Sequence, residues 1–524
     1  MPTQQRPLLC MHLDLKGVMF KPSYLPRLLD DLQSQGCNAI LLEYEDAFPF
    51  IGLDIAQDKS VVWPRAQVGR FARQAAMRGI EIIPLQQCLG HLEYLYRWKR
   101  YEKYALHKAY PSTLNLHDPQ ACAQIFAMLG QVIDAHPDSR YIHLGMDEAR
   151  GMGKGADGDT LSEFLDHLEK LTVFCEARGK TPMIWTDMLE DHFRPGAFDH
   201  FCGRVVLVPW DYGTSGETTP IGRIAGFRLS RRWLDEPQRA DGPAVNERHT
   251  YIEDMPAAVR KAVRPYLRGR EFVSMFQADL WTKLGFEVVG AAAARDTSSL
   301  SVMCHYNRQF DNADAWAAAI RRTGQLGVIA TSWARGTTWC PPGFNFDLVW
   351  PVVAHLTRAM CRWPQSFWRG LSTQTVQRLL RQLGRCRTDW RITARVADEM
   401  TALLPRISTH QHEWRSIVLM ARVLDLHQRL AFVIDEVDYF HANTRPVSNE
   451  WKRRLADQKA GLAEIGSLRK KVRAHFGKRY FGDAFDEWIA DLFDLHETRL
   501  RECQRICRTK LAAARKQYAR HGRG

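Results

Sequence analysis

Along the first 355 residues, short apolar runs alternate with longer stretches of helical periodicity. The runs fall at 8–15 (LLCMHLDL), 38–44 (NAILLEY), 80–86 (IEIIPLQ), 140–145, 182–187 (PMIWTD), 204–209 (RVVLVP), 286–291 and 326–332 (LGVIATS). Eight strands separated by helices are the pattern of β/α units around a parallel sheet, and they predict a closed (β/α)8 barrel of the TIM type. One helix is well marked: Thr160 and Glu163 read as a capping box before LSEFLDHLEKLTVFCEARG, and Gly179 as its stop.

Beyond about residue 360 the pattern changes. Stretches at 374–386, 391–404, 410–440, 450–474 and 484–518 have helical periodicity with few Gly or Pro. The chain therefore divides into a barrel over 1–355 and an all-α domain over 356–524, with Trp350 to Trp368 able to pack against either part.

A barrel of this kind carries its chemistry at the C-terminal ends of its strands. Those ends are polar and aromatic here. His12, Asp14 and Lys16 alternate after strand one, Glu43, Glu45 and Asp46 close strand two, and His91 follows strand three. His143, Gly145 and Asp147 share one face at strand four by the period-two rule. Trp185 and Asp187 end strand five, Trp210 and Tyr212 follow strand six, and Trp333 ends strand eight.

Charge first looks like a pointer to a polyanionic partner, since the formal net charge is +13. Residues 361–524, however, hold 32 Lys and Arg against 18 Asp and Glu, and residues 1–360 hold 40 against 41. The excess belongs to the helical part, which is expected to serve packing or homodimerisation with a solvated basic face; it has no nucleic-acid reader motif. The segment MPTQQRPLLCMHLDLKG lacks a signal-peptide core, and no run of 18 apolar residues suggests a membrane span. Twelve cysteines without a CxxC pair read as reduced thiols, which with the rest predicts a cytoplasmic location.

Asp147 and Glu148 are the most informative pair. Singly, adjacent acids after a strand are more often a helix cap, and a Trp or His in a strand is more often core. Jointly, aromatic planes, carboxylates and imidazoles suit the cleavage of a sugar, in which one carboxyl must protonate the leaving oxygen.

The stretch HLGMDE (143–148) resembles the His-x-Gly-x-Asp-Glu signature of glycoside hydrolase family 20, the β-N-acetylhexosaminidases, and within it the hexosaminidase D branch. MHLDLKG, LLEYEDAFPF, IPLQQCLGHLEY, STLNLHD, IWTDML and PWDYG extend the likeness over roughly residues 8–340. The resemblance implies removal of a terminal β-linked GalNAc or GlcNAc without cofactor or metal. In its substrate-assisted retaining scheme the 2-acetamido oxygen is the nucleophile. It assigns Asp147 to the acetamido N–H and Glu148 to acid/base work. Trp185, Trp210 and Trp333 would wall the pocket, and Tyr212 would hold the acetamido carbonyl oxygen. Asp187, His143 and His91 would support it, and Asp14 and Lys16 would bind sugar hydroxyls.

The chain departs from the pattern at Leu9, where the family has an Arg, at Met146, where it has a second Gly, and in ARGTTW after Trp333, where many members have an acid. Other readings are a catalytically altered barrel that binds amino-sugar glycans, a polyanion binder acting through the basic domain, and a glycosidase using distant carboxylates such as Glu45 and Glu148.

Overall fold

The structure is a computed structural model that describes residues 6–56, 58–153, 159–219, 221–225, 227–230, 255–269, 271–296, 302–363, 366–385, 390–443 and 448–521. Eight parallel strands form its centre: β1 (Leu8–Asp14), β2 (Ala39–Glu43), β3 (Glu81–Leu85), β4 (Tyr141–His143), β5 (Thr181–Trp185), β6 (Val206–Val208), β7 (Val289–Arg295) and β8 (Gly327–Ser332). Their order is β7-β8-β1-β2-β3-β4-β5-β6. Parallel bridges from Leu207 to Val288 and from Trp210 to Ala291 join the two edges, so the sheet comes close to a closed barrel.

Period-two alternation sorts the strand side chains. Cys10, Leu41, Leu85, Met183, Trp185, Val208, Ala291 and Ile329 pack together inside the barrel. Leu9, Met11, Ile40, Leu42, Ile142, Ile184 and Val328 face outward, into the much larger core under the helices. Around the strands lie α1 (Leu25–Ser34), α2 (Arg65–Ala76), α3 (Pro119–Asp134), α4 (Thr160–Glu176), α5 (Phe276–Lys283), α6 (Tyr306–Thr323) and α7 (Trp350–Cys361).

The start of α4 differs from its expected cap. Asp159, one residue earlier than Thr160, accepts the Leu161 N–H at 3.1 Å and the Ser162 hydroxyl at 3.0 Å. Thr160 already lies inside the helix, and its hydroxyl donates to the Met152 carbonyl. A carboxylate outcompetes the hydroxyl because it also favours the positive end of the helix dipole. Gly179, at φ +68, ends this element in the left-handed region as expected.

The helical part comprises α8 (Thr373–Arg385), α9 (Trp390–Leu403), α10 (Gln411–Asn443), α11 (Ser448–Phe476) and α12 (Asp483–His521). It is not a loose appendage. α7 runs across residue 355 and packs against α6 of the barrel's outer layer. Tyr480 bridges Phe20 in the loop after β1, and the Lys21 N–H donates to the Arg479 carbonyl at 2.6 Å. The Arg479 guanidinium is buried between Asp347 and Glu413 and donates to the Tyr24 hydroxyl at 2.9 Å. Among the described residues no helix is long and apolar enough to cross a membrane.

Candidate active site

The eleven residues singled out in the sequence meet at the C-terminal mouth of the barrel, linked by an unbroken chain of contacts. Lys16 lies 3.8 Å from Asp14 and 3.2 Å from Glu43, with its ammonium 4.5 Å from the centre of the Trp333 ring. Trp333 packs 5.9 Å from Trp185, which packs 4.4 Å from His143. The Trp333 indole N–H donates to the Tyr212 hydroxyl at 3.0 Å, and Tyr212 stacks on Trp210 at 5.3 Å. Trp210 donates to Asp187 at 3.3 Å, and the other Asp187 oxygen accepts the Glu148 backbone N–H at 2.8 Å. His91 Nε2 ends the chain, 3.4 Å from both Asp147 and Glu148.

Backbone conformation separates the two acids. Gly145, Met146 and Glu148 have φ of +67, +75 and +47, a left-handed course that L side chains seldom adopt. A Cβ on Gly145 would strike Gln87 Oε1, and one on Gly90 would lie 2.0 Å from the Asp147 carbonyl oxygen. The winding leaves the Asp147 side chain 8% exposed, whereas that of Glu148 is 41% exposed at the mouth. Asp147 Oδ1 is buried and has no hydrogen-bond partner.

Electrostatics differ across the site. Burial disfavours charge on His91, but Asp147, Glu148 and Glu93 outweigh it and lift the imidazole to about 10, so it is cationic at neutral pH. Burial pushes the Asp147 carboxyl up, opposed by His91 and reinforced by Glu148. The ionised form of Asp147 thus depends on its cationic neighbours, His91 first and Lys16 after it. Burial and then Asp147 push Asp187 well above the usual range. Deeper in, Lys16 and His12 overcome burial to hold Glu43 at about 2, while burial lifts Glu45 to about 8 despite Lys16 and Arg335.

Trp185, expected in the wall, sits lower than predicted, beside His143, which was expected as a support. Trp185 and His143 are both fully buried. His143 accepts the Gly145 N–H at 3.0 Å and is held neutral, at about 3, chiefly by burial. They support the floor, and Trp333, Tyr212 and Trp210 are the rings nearer the opening. The sequence reading passed over three participants: Glu93, 3.9 Å from His91; Arg150, 3.8 Å from Glu148; and Arg335, buried 3.1 Å from Glu45. Arg335 occupies the ARGTTW segment where many family members have an acid, and that mismatch was its available signal.

Other places in the molecule lie elsewhere. A cavity of about 1180 Å³ opens at the N-terminal end of the strands, lined by Arg6, Asn38, Glu81, Arg140, Glu287 and Gln325, the end that barrels reserve for stability. Among the described residues, two groups could offer three metal ligands, Asp347 with His412 and His475, and Asp31 with His410 and Glu413. Both stand between barrel and helical part, and Arg479 and Arg27 already neutralise their carboxylates.

No protein-family model matches the chain. Hexosaminidase D of Bos taurus is 32% identical over 223 residues, covering 39% of this chain and 62% of that protein. The chain is similar to hexosaminidase D. The Homo sapiens hexosaminidase D is likewise 32% identical, over 193 residues, 34% of this chain and 40% of that protein. The chain therefore spans less than two thirds of either relative. Solved structures are more remote: a β-N-acetylhexosaminidase from Bacteroides fragilis is 14% identical with a TM-score of 0.43, over 68% of this chain and 66% of that one.

Proposed function

We propose that the protein is an exo-acting β-N-acetylhexosaminidase that removes a terminal β-linked GalNAc or GlcNAc with retention, using the substrate's acetamido group as nucleophile. The observation that carries this reading is the unlike placement of neighbouring acids: Asp147 buried with a free acceptor oxygen, Glu148 exposed at the mouth. An acetamido N–H would satisfy Asp147 Oδ1, and the negative charge there would favour the positive charge that develops as the acetamido oxygen attacks the anomeric carbon. The bond to the leaving oxygen breaks as Glu148 gives it a proton. Glu148 then takes a proton from the water that opens the oxazolinium-like ring.

Asp187 serves as a positioning residue, since it holds the Glu148 backbone and the Trp210 indole together. By the resemblance, Tyr212, whose hydroxyl accepts the Trp333 indole N–H, would also donate to the acetamido oxygen. Asp14, Lys16 and Trp333 line the β1 and β8 side, where sugar hydroxyls and an apolar ring face would lie.

Hydrolysis of 4-nitrophenyl β-GlcNAc and β-GalNAc by the full chain tests the proposal. Wild type should turn over at least one, and Glu148→Gln should lose about 10²–10⁴-fold in kcat. Folded wild type inert to both, or unchanged turnover in the variant, would overturn it.

A further inference from the structure

If the barrel is a glycosidase, its leaving group departs on the side from which Glu148 gives a proton, and the surface there has its own chemistry. Arg150 follows the acid pair directly. Its backbone N–H donates to Thr113 Oγ1 at 3.0 Å, which fixes the residue, while its side chain is 64% exposed. The guanidinium reaches Glu148 at 3.8 Å and stands 5.5 Å from the Tyr110 ring centre.

Tyr110 is 40% exposed and Trp339 is 54% exposed, unusual for large rings in a soluble barrel. Burial, Glu93 and Glu148 raise the Tyr110 phenol against the pull of Arg150, and Cys340, the residue after Trp339, contributes to the same electrostatic surroundings. Arg97 lies 5.8 Å from the Trp339 ring centre. Trp339 belongs to the segment after β8 that departs from the family pattern.

We propose that Tyr110, Trp339 and Arg150 form a subsite for the leaving group, and that it takes a sugar bearing an anionic substituent, a carboxylate or a sulfate ester. Exposed aromatic faces stack on a sugar ring, and the planar guanidinium pairs with either anion through two N–H groups. The proposal rests on the glycosidase reading above. It also resolves an electrostatic conflict at the acid. In the free enzyme Arg150 and His91 both attract the Glu148 carboxylate, which opposes its acid role. An anion that draws Arg150 away removes one of those two attractions at the moment the leaving oxygen needs a proton.

The test uses the full chain and three disaccharides in which the N-acetylhexosamine is β-linked to a uronate, to a sulfated hexose, or to the neutral hexose. The quantity read is the ratio of kcat/KM for each charged substrate to the neutral one, in wild type and in Arg150→Gln and Arg150→Lys. Wild type should favour at least one charged leaving group by fivefold or more, with the preferred arm identifying the anion. The ratio should fall towards one in Arg150→Gln and recover in part in Arg150→Lys. Hydrolysis of the nitrophenyl glycosides with a wild-type ratio near one, or a ratio that survives in Arg150→Gln, would overturn the leaving-group proposal alone. Inertness towards every glycoside would overturn both readings.

Discussion

At the scale of single residues, Met146 is the most revealing departure from the family pattern. It is fully buried and its φ is +75, a conformation that glycine adopts freely and that costs other residues about 1–2 kcal/mol. Burial of its side chain offsets that strain. Both Met146→Gly and Met146→Ala should therefore lose stability, by about 2–5 kcal/mol for the vacated space. The alanine variant should be the worse of the two by about 1 kcal/mol in urea denaturation, because only glycine relieves the backbone; alanine equal to or better than glycine would contradict this origin of the strain.

Glu190 gives a second prediction, about pH. Burial raises its carboxyl to about 7, although Thr186 and Trp281 donate to Oε1 at 2.6 and 3.4 Å. The unfolded chain releases this proton near the ordinary carboxylate value, so between there and about pH 7 the native state binds more protons and stability falls as pH rises. Gln keeps the Oε1 acceptor without the charge. Glu190→Gln should gain on wild type between pH 5 and pH 8, on the order of 2–3 kcal/mol, in thermal or urea melts; an equal difference at both pH values would refute the titration.

At the scale of elements, β2, β3 and β6 were the most legible strands because they are dense in Leu, Ile and Val with polar residues only at their ends. β7 was the faint one, and its composition shows why. VGAAAAR has small side chains because Trp316 of α6 lies against it: a Cβ on Gly290 would come within 2.3 Å of that indole. Alanine and glycine carry no β signal, so a strand selected for closeness to a helix reads weakly. The α4 cap was misplaced by one residue because two capping residues, Asp159 and Thr160, stand side by side, and the carboxylate's added interaction with the helix dipole decides between them. In the candidate site, aromatic and acidic strand ends were visible in the sequence. Arg335, Glu93 and Arg150 were not: Arg335 pairs with Glu45 far away in sequence, and Glu93 and Arg150 lie in the segments past the strand ends.

At the scale of the molecule, part of the basic charge of the helical part is held in ion pairs. Arg422, Arg429, Arg469, Arg473, Arg499 and Arg501 all pair with acids of neighbouring helices or turns. Buried Arg479 is an ionic contact that joins the barrel side to the helices, through Asp347 and Glu413. Replacing it with Met leaves Asp347 and Glu413 without their cation and should cost about 3–5 kcal/mol. One apolar core runs from the barrel helices through Phe20, Phe344 and Trp350 to Phe476, Tyr480 and Trp488. Heating should then give one transition by circular dichroism and by loss of activity together, and a chain ending at Arg362 should bind a hydrophobic dye rather than fold; a truncated barrel with native activity would contradict the shared core.

The central claim is that the substrate supplies its own nucleophile between Asp147 and Glu148. It is tested most directly by kcat/KM for a series of nitrophenyl N-acyl glycosides in which the acetamido methyl carries zero, one, two or three fluorines. Fluorine weakens the carbonyl oxygen as a nucleophile, so the account predicts a steep fall across the series; a flat series would show that an enzyme carboxylate attacks instead.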